Sequence, residues 1–195
     1  MLLRVFAPEF QAIRIGFFIA VLNLCLPSYF SVDTTFLQQH PLFVTVLDPA
    51  GPLPLVIVVV GDDGRGDDGA GPYVAACLAG NSPDGCTVID AGEHPENVLA
   101  EIAERKPARV VIFDAARFGG RPGELRVIPR DCIPQAAAVT HLFPLGAIAE
   151  LIETDTGAVV TFLGVQVANV QPGAPLSLPV RETANEIVAW MYRVE

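Results

Sequence analysis

The sequence predicts an α/β fold, a three-layer sandwich in which a mostly parallel, twisted sheet carries helices on both faces. Three observations lead there. Leu55–Val60, Val110–Phe113 and Val159–Val165 are short, nearly continuous runs of β-branched and apolar residues, the pattern of strands buried on both faces. Segments with helical spacing lie between them, and strands alternating with helices imply crossover connections and a parallel sheet. The first three strand candidates also run into glycine or aspartate, residues that stop strands and make turns.

Leu55–Val60 ends at Gly61, a glycine and aspartate loop follows, and Gly71-Pro72 opens a helix to about Ala79. Proline is tolerated there because an early helical N–H has no intrahelical partner to lose. Thr87–Ile89 is a second short strand, stopped by Asp90-Ala91-Gly92. Pro95–Arg105 reads as a helix with Val98, Leu99 and Ile102 on one face and Glu101 four residues ahead of Arg105, a favourable charge spacing. Val110–Phe113 is the third strand and ends on Asp114. Glu124–Ile128 belongs at a sheet edge, since Pro122-Gly123 and Pro129 bracket it and proline cannot donate to a ladder. Leu145–Thr154 aligns Leu145, Ile148 and Ile152 as a helix, Val159–Val165 is a further strand, and Arg181–Arg193 closes the chain with Ala184, Ile187, Val188 and Met191 on one face.

The length of 195 residues bounds the chain to one domain, with or without an appendage. Twelve basic against 22 acidic residues give a net charge of -10, which repels phosphate backbones and anionic headgroups and excludes nucleic acid as a partner. A hydrophobic fraction of 51% and a mean hydropathy of +0.45 exclude a disordered chain and are high for a soluble one. The excess traces to residues 1–52, which hold seven of the eleven phenylalanines but five of the 34 charged residues. The expected division is therefore an apolar, proline-interrupted N-terminal extension over 1–52 and a folded body over 53–195. Arg4 and Arg14 ahead of the apolar run Ile15–Leu26 have the layout of a secretory leader, but Pro27-Ser28-Tyr29-Phe30 lacks the small residues of a cleavage site. That run is also too short to span about 30 Å of hydrocarbon as a helix. The extension is expected to be a family-atypical or mis-assigned start, dispensable for activity and without stable membrane insertion. Cys25, Cys77, Cys86 and Cys132 have no zinc-site spacing and read as buried thiols in a reducing compartment.

In a parallel sheet of this kind ligands bind beyond the carboxyl ends of the strands, and three features there are chemically conspicuous. Gly61-Asp62-Asp63-Gly64-Arg65-Gly66-Asp67-Asp68-Gly69 follows the first strand, Asp114 follows the third, and His141 precedes a helix. Each has an ordinary explanation alone: Asp67 or Asp68 as a helix cap, Asp114 as a turn former, His141 as a satisfied polar side chain. Four acids within seven residues exceed the needs of a cap, and their repulsion calls for a cation or basic partner. Two carboxylates and an imidazole from separate strand ends converging on one crevice form a metal-site composition, suited to a divalent first-row ion with positions left open for water or substrate. Pro144 puts His141 near a helix N-terminus, where the partial positive charge keeps the imidazole neutral.

Rival readings fail on detail. The first loop does not give G-x-G-x-x-G or a Gly-Lys-Ser/Thr phosphate cradle, and its acids would repel a pyrophosphate. No register of Gly64 or Gly69 makes a calcium loop. A phosphoacceptor switch domain wants a lysine late in the sheet, whereas Lys106, the single lysine, precedes the third strand.

The run Val60-Gly61-Asp62-Asp63-Gly64-Arg65-Gly66-Asp67-Asp68-Gly69-Ala70-Gly71-Pro72 resembles the opening motif of the hydrogenase maturation endopeptidases, which process the large subunit of nickel-iron hydrogenases. Asp90-Ala91-Gly92 with Pro95-Glu96-Asn97, Val111-Ile112-Phe113-Asp114-Ala115, Pro122-Gly123-Glu124, Thr140-His141 with Pro144-Leu145, and Leu163-Gly164-Val165-Gln166 follow in the same order and resemble the formate-hydrogenlyase branch. The likeness covers about residues 55–193, with Gly61-Asp62 standing where the family usually has Gly-Asn. It implies that Asp68, Asp114 and His141 contact metal and carry catalysis, the same three that strand-end position selects. It further implies a cytoplasmic, aspartic-type endopeptidase with no stored cofactor. Such an enzyme reads nickel already carried by the precursor of the large subunit and then removes a C-terminal extension. Whether nickel polarises the scissile carbonyl, or a carboxylate such as Asp68 or Asp67 acts as general base, stays open at this level. So do a non-hydrolytic nickel or precursor chaperone and a metal-dependent phosphohydrolase, the latter disfavoured by the lack of a basic phosphate clamp.

Overall fold

The computed structural model describes residues 45–48, 51–133 and 144–192. Five strands form one sheet: β1 (Leu55–Val59), β2 (Cys86–Asp90), β3 (Arg109–Ala116), β4 (Leu125–Val127) and β5 (Val159–Gln166), in the order β2-β1-β3-β5-β4. All neighbours run parallel except β4, which pairs antiparallel with β5 at the edge. Four helices cover the faces: α1 (Ala70–Leu78), α2 (Leu99–Glu104), α3 (Leu145–Thr156) and α4 (Leu178–Tyr192). After β1 the chain passes to β2 on one side and then returns to β3 on the other. The carboxyl ends of β1 and β3 therefore flank the topological switch point, where a doubly wound sheet opens a crevice.

Residue alternation along the buried strands feeds two cores. Val56, Val58, Val110, Ile112 and Phe162 pack with Ile102 of α2 and Leu145, Ile148 and Ile152 of α3. On the opposite face α1 packs against α4, burying Val74, Cys77 and Leu78 with Val180, Ala184, Ile187, Val188 and Met191. Tyr73 donates from its hydroxyl to Asn185 Oδ1 at 2.7 Å and Tyr192 to the Cys77 carbonyl at 2.9 Å, so the polar tips of two core aromatics are satisfied between the helices.

Several boundaries differ from the sequence expectation for identifiable reasons. β3 does not stop at Asp114 but continues to Ala116, because β5 pairs with it to the end, Asp114 opposite Gly164 and Ala116 opposite Gln166. The first helix begins as a 3-10 turn over Gly66–Gly69, and the Pro95–Arg105 segment divides into a 3-10 turn, Pro95–Val98, and α2. α4 starts at Leu178, three residues early. Cys77 and Cys86 are buried as expected, with burial raising the Cys86 thiol despite the opposing charge of Arg109. Cys132 is exposed, on a three-residue 3-10 turn after β4; Cys25 lies outside the described residues. No helix among the described residues is long and apolar enough to cross a membrane.

Residues ahead of 53 also meet the sheet. The Arg109 guanidinium donates to the carbonyls of Pro52 at 2.8 Å and Asp48 at 2.6 Å, and more weakly to Val46 at 3.3 Å. Trp190 Nε1 donates to the Leu47 carbonyl at 3.3 Å, and the Leu47 side chain is 1% exposed. Arg109 opens β3, so these contacts sit at the amino edge of the sheet, opposite the strand ends that flank the switch point. Leu47→Ala should therefore lower unfolding free energy by about 2–5 kcal/mol in urea denaturation, while hydrogen exchange at the carboxyl edge of the folded sheet stays as in wild type.

Glu186 on α4 gives a second measurable consequence. Burial, reinforced by the charge of Glu182 one turn earlier, pushes its carboxyl from the ordinary 4.5 up to about 7, and its Oε2 is buried without a hydrogen-bond partner. The folded chain thus holds a proton that the unfolded chain releases from about pH 4.5, so this group's effect on stability is most favourable below that pH and worsens as pH rises to about 7. Glu186→Gln should match wild type near pH 4 and gain stability over it progressively up to about pH 7. Denaturation curves at pH 4, 6 and 8 check this, and a pH-independent gap would exclude it.

Candidate active site

The loop after β1 is folded tightly on itself, and its glycines are there for space. Gly61 has φ +137, and a Cβ on it would be driven into the Asp68 carbonyl oxygen. Gly66 has φ +62, with a Cβ position 2.6 Å from the Asn169 carbonyl oxygen. Both conformations suit glycine. The result is a short path that turns the chain from β1 through the 3-10 turn Gly66–Gly69 directly into α1, with that turn packed against β3.

Within this loop the four acids have separate fates. Asp63 is exposed, and Asp62 is half-buried, its Oδ1 accepting the Gly64 N–H at 2.8 Å in a local turn. Asp67 and Asp68 are both 0% exposed. Neither helical start carries a side-chain cap, so the capping explanation does not hold. The Asp67 carboxylate instead accepts three backbone N–H groups from the loop between β5 and α4: Ala168 at 2.7 Å and Asn169 at 2.9 Å on Oδ2, and Ser177 at 2.7 Å on Oδ1. Its own N–H donates to the Asn169 carbonyl at 2.8 Å. Asp68 Oδ2 accepts the Asp62 N–H at 2.9 Å. Backbone amides thus take up part of the negative charge that the sequence concentrates here.

Asp114 is 8% exposed and stands in β3, its Oδ1 accepting the N–H of Ala115 at 2.7 Å. It lines a narrow cavity of about 20 Å³ with Ile112, Phe162, Gly164 and Leu145, the first residue of α3, space for about one water. Gly164, directly across from Asp114, is required for the fit, since a Cβ there would lie 2.8 Å from that of Ala116. Asp68, in the turn that follows β1, and Asp114, in β3, thus lie on the two segments that flank the switch point. His141, the third predicted site residue, lies outside the described residues. Among the described residues no three potential metal ligands are grouped closely enough to hold an ion.

A buried amide on β5 completes the rim. Gln166, 8% exposed, accepts the N–H groups of Phe118 at 2.9 Å and Gly120 at 3.2 Å on Oε1 and donates from Nε2 to the Val167 carbonyl at 3.0 Å. It anchors the β3–β4 loop beside Asp114. Sequence reasoning missed the anchoring roles of Asp67 and Gln166 because their partners are backbone groups from distant segments, which leave no residue-type signal; the nearest hint was Gln166 within a matched motif.

Residues 72–193 match the family model for hydrogenase maturation protease. The chain belongs to the hydrogenase maturation protease family. It is 36% identical over 133 residues to the hydrogenase 3 maturation protease of Escherichia coli K12, covering 68% of this chain and 85% of that protein. The crystal structure of a [NiFe] hydrogenase maturation protease from Thermococcus kodakarensis superposes with a TM-score of 0.68 at 30% identity, over 77% of this chain and 96% of that one. A crystal structure of the hydrogenase 3 maturation protease gives a TM-score of 0.64 at 34% identity, over 72% and 90%.

In this maturation protease the buried Asp67 should be the costliest single loss in the loop. Asp67→Asn keeps the size of the side chain but turns one acceptor oxygen into a donor facing amides. Unfolding free energy should fall by about 2–4 kcal/mol, and hydrogen exchange should quicken at the amides of Ala168, Asn169 and Ser177 while the β1–β3 amides stay protected. Unchanged exchange at those three positions would contradict the assigned bonds.

Proposed function

We propose that the chain is the endopeptidase that removes a C-terminal extension from the nickel-loaded precursor of a nickel-iron hydrogenase large subunit, with Asp68, Asp114 and His141 completing the coordination of the substrate's nickel. Family membership supports the proteolytic reaction. The observation that carries the site is that two buried carboxylates, Asp68 in the turn after β1 and Asp114 in β3, lie on the segments flanking the switch point of the sheet, the position from which doubly wound folds engage ligands.

Carboxylate oxygen with imidazole nitrogen suits a first-row divalent ion, and here the ion arrives as part of the substrate rather than as a stored cofactor. Asp68 and Asp114 hold the metal-bearing end of the precursor, so that the peptide bond ahead of the extension meets water in a fixed geometry. Both Asp67 oxygens already accept amide protons, so Asp67 is a support. Asp68 is left as the loop carboxylate for acid-base work, which makes the enzyme aspartic in type. It acts in the cytoplasm, before the large subunit closes over its metal centre.

Nickel-loaded precursor with its tail intact tests this. Wild type should yield the shortened subunit, and Asp68→Ala, Asp114→Ala and His141→Ala should each lower the rate by at least about 100-fold with thermal unfolding close to wild type. Binding without a shortened product in wild type would favour the chaperone reading; equal cleavage of metal-free precursor would remove nickel from the recognition step.

A further inference from the structure

The carboxyl edge of the sheet is electrically divided. Over β1 stand Asp62 and Asp63, while the β3–β4 loop and the start of α4 present Arg117, Arg121 and Arg181, all exposed. Arg117 directly follows β3. Arg121 lies in the loop entering β4, whose Leu125 pairs with Val165 near the end of β5. Arg181 is in the first turn of α4, where a Cβ on Gly123 would lie 2.7 Å from the Pro179 carbonyl, which brings that turn against the same loop.

Four other arginines of the body are engaged. Arg105 pairs with Glu101 at 3.1 Å, Arg126 with Glu124 at 2.7 Å and Arg130 with Glu153 at 2.6 Å, while carbonyls occupy Arg109. The guanidinium groups of Arg117, Arg121 and Arg181 have no carboxylate partner among the described residues. This is not a slack loop that happens to carry charge. Gln166 holds it from below through Phe118 and Gly120, Glu124 Oε2 accepts the Arg121 N–H at 3.1 Å, and the Arg126 guanidinium sits 4.3 Å from the centre of the Phe118 ring. In a chain of net charge -10, guanidinium forks on an anchored loop, without a carboxylate partner among the described residues, are suited to receive carboxylates.

We propose that the rim formed by Arg117, Arg121 and Arg181 docks an acidic, carboxylate-bearing end of the extension that the enzyme removes. The tail then crosses the edge from Asp68 and Asp114 toward the β3–β4 loop, its negative end held away from the site carboxylates. This rests on C-terminal processing of the precursor, so binding and cleavage are measured separately.

The probe is nickel-loaded precursor with its tail intact, against wild type, the Arg117→Glu/Arg121→Glu double variant and, as a control at the amino edge, Arg105→Gln. At low ionic strength the double variant should raise both Kd and KM about tenfold with kcat within about twofold, and the gap should close as salt screens the rim. Arg117→Gln/Arg121→Gln should move the same way by less, Arg181→Glu should add to the effect, and Arg105→Gln should behave as wild type. Precursor whose tail carboxylates are changed to amides should bind wild type and the double variant equally. Equal Kd and KM for all proteins, a fall in kcat at unchanged KM, or equal weakening for precursor that lacks the tail would each overturn the rim. If the double variant binds the intact precursor more weakly but wild type does not cut it, the rim stands and the protease reading fails.

Discussion

The Asp67 carboxylate accepts N–H groups from Ala168, Asn169 and Ser177, and through these bonds two loops more than 100 residues apart in the chain become one rim. Taking a carboxylate out of water costs several kcal/mol, and a hydrogen bond to a charged group returns about 1.5–3 kcal/mol. Three such bonds are of the size needed to offset that cost. The geometry of Asp68 follows from this. It is the next residue in the same 3-10 turn, its carbonyl rests against Gly61, and its carboxylate meets the Asp62 N–H. A shift of Asp67 would carry its neighbour with it.

The two edges of the sheet divide the work. At the amino edge Arg109 gathers carbonyls from residues ahead of 53, Leu47 is buried and Trp190 reaches its carbonyl; these contacts hold chain to sheet and face away from the switch point. At the carboxyl edge buried polar groups gather instead, with Asp67 and Gln166 as anchors of the loops, Asp68 in the turn after β1 and Asp114 in β3. Burial on both faces lets β1 and β3 serve as rigid mounts for both sets. Val60 donates to the Phe113 carbonyl at 3.0 Å, so the backbone ahead of the loop and the backbone ahead of Asp114 are one hydrogen-bonded unit.

Fold class, element order and the edge position of β4 are legible in the sequence because each depends on local pattern: β-branched runs, helical spacing, bracketing prolines. The placement of Asp68 in the loop after β1 is legible too, since the β-branched run and the glycines after it mark where that strand stops. Three things are not. Asp114 reads as a strand terminator, yet it lies inside β3, because whether a strand continues depends on its partner, and β5 pairs through Gln166. The acids of the first loop read as one charged cluster, whereas Asp67 is set apart by amides from residues 168–177, which carry no residue signature. The boundary expected at 53 falls where the charge composition changes, but composition does not register single anchoring contacts such as that of Leu47 under Trp190.

If nickel enters with the precursor, the enzyme faces a constraint that a resident metal would remove. A stored ion organises its own ligands, and its binding energy contributes to folding. A site that meets the ion only during a turnover must hold mutually repelling carboxylates in place beforehand, by means that do not neutralise them. Lysine or arginine partners at Asp68 and Asp114 would lower the repulsion but compete with the incoming cation. Backbone N–H groups orient a carboxylate and leave its formal charge intact. Bonds of that kind are present: Asp62 N–H on Asp68, Ala115 N–H on Asp114 and three amides on the supporting Asp67. The unpaired arginines stand on the neighbouring loop and the first turn of α4, where they favour an anionic tail rather than drawing protein carboxylates away from the crevice. Placing Arg117, Arg121 and Arg181 on the neighbouring loop and helix turn, while backbone and amide groups fix the carboxylates, would let one edge select for a positive ion and a negative tail at once.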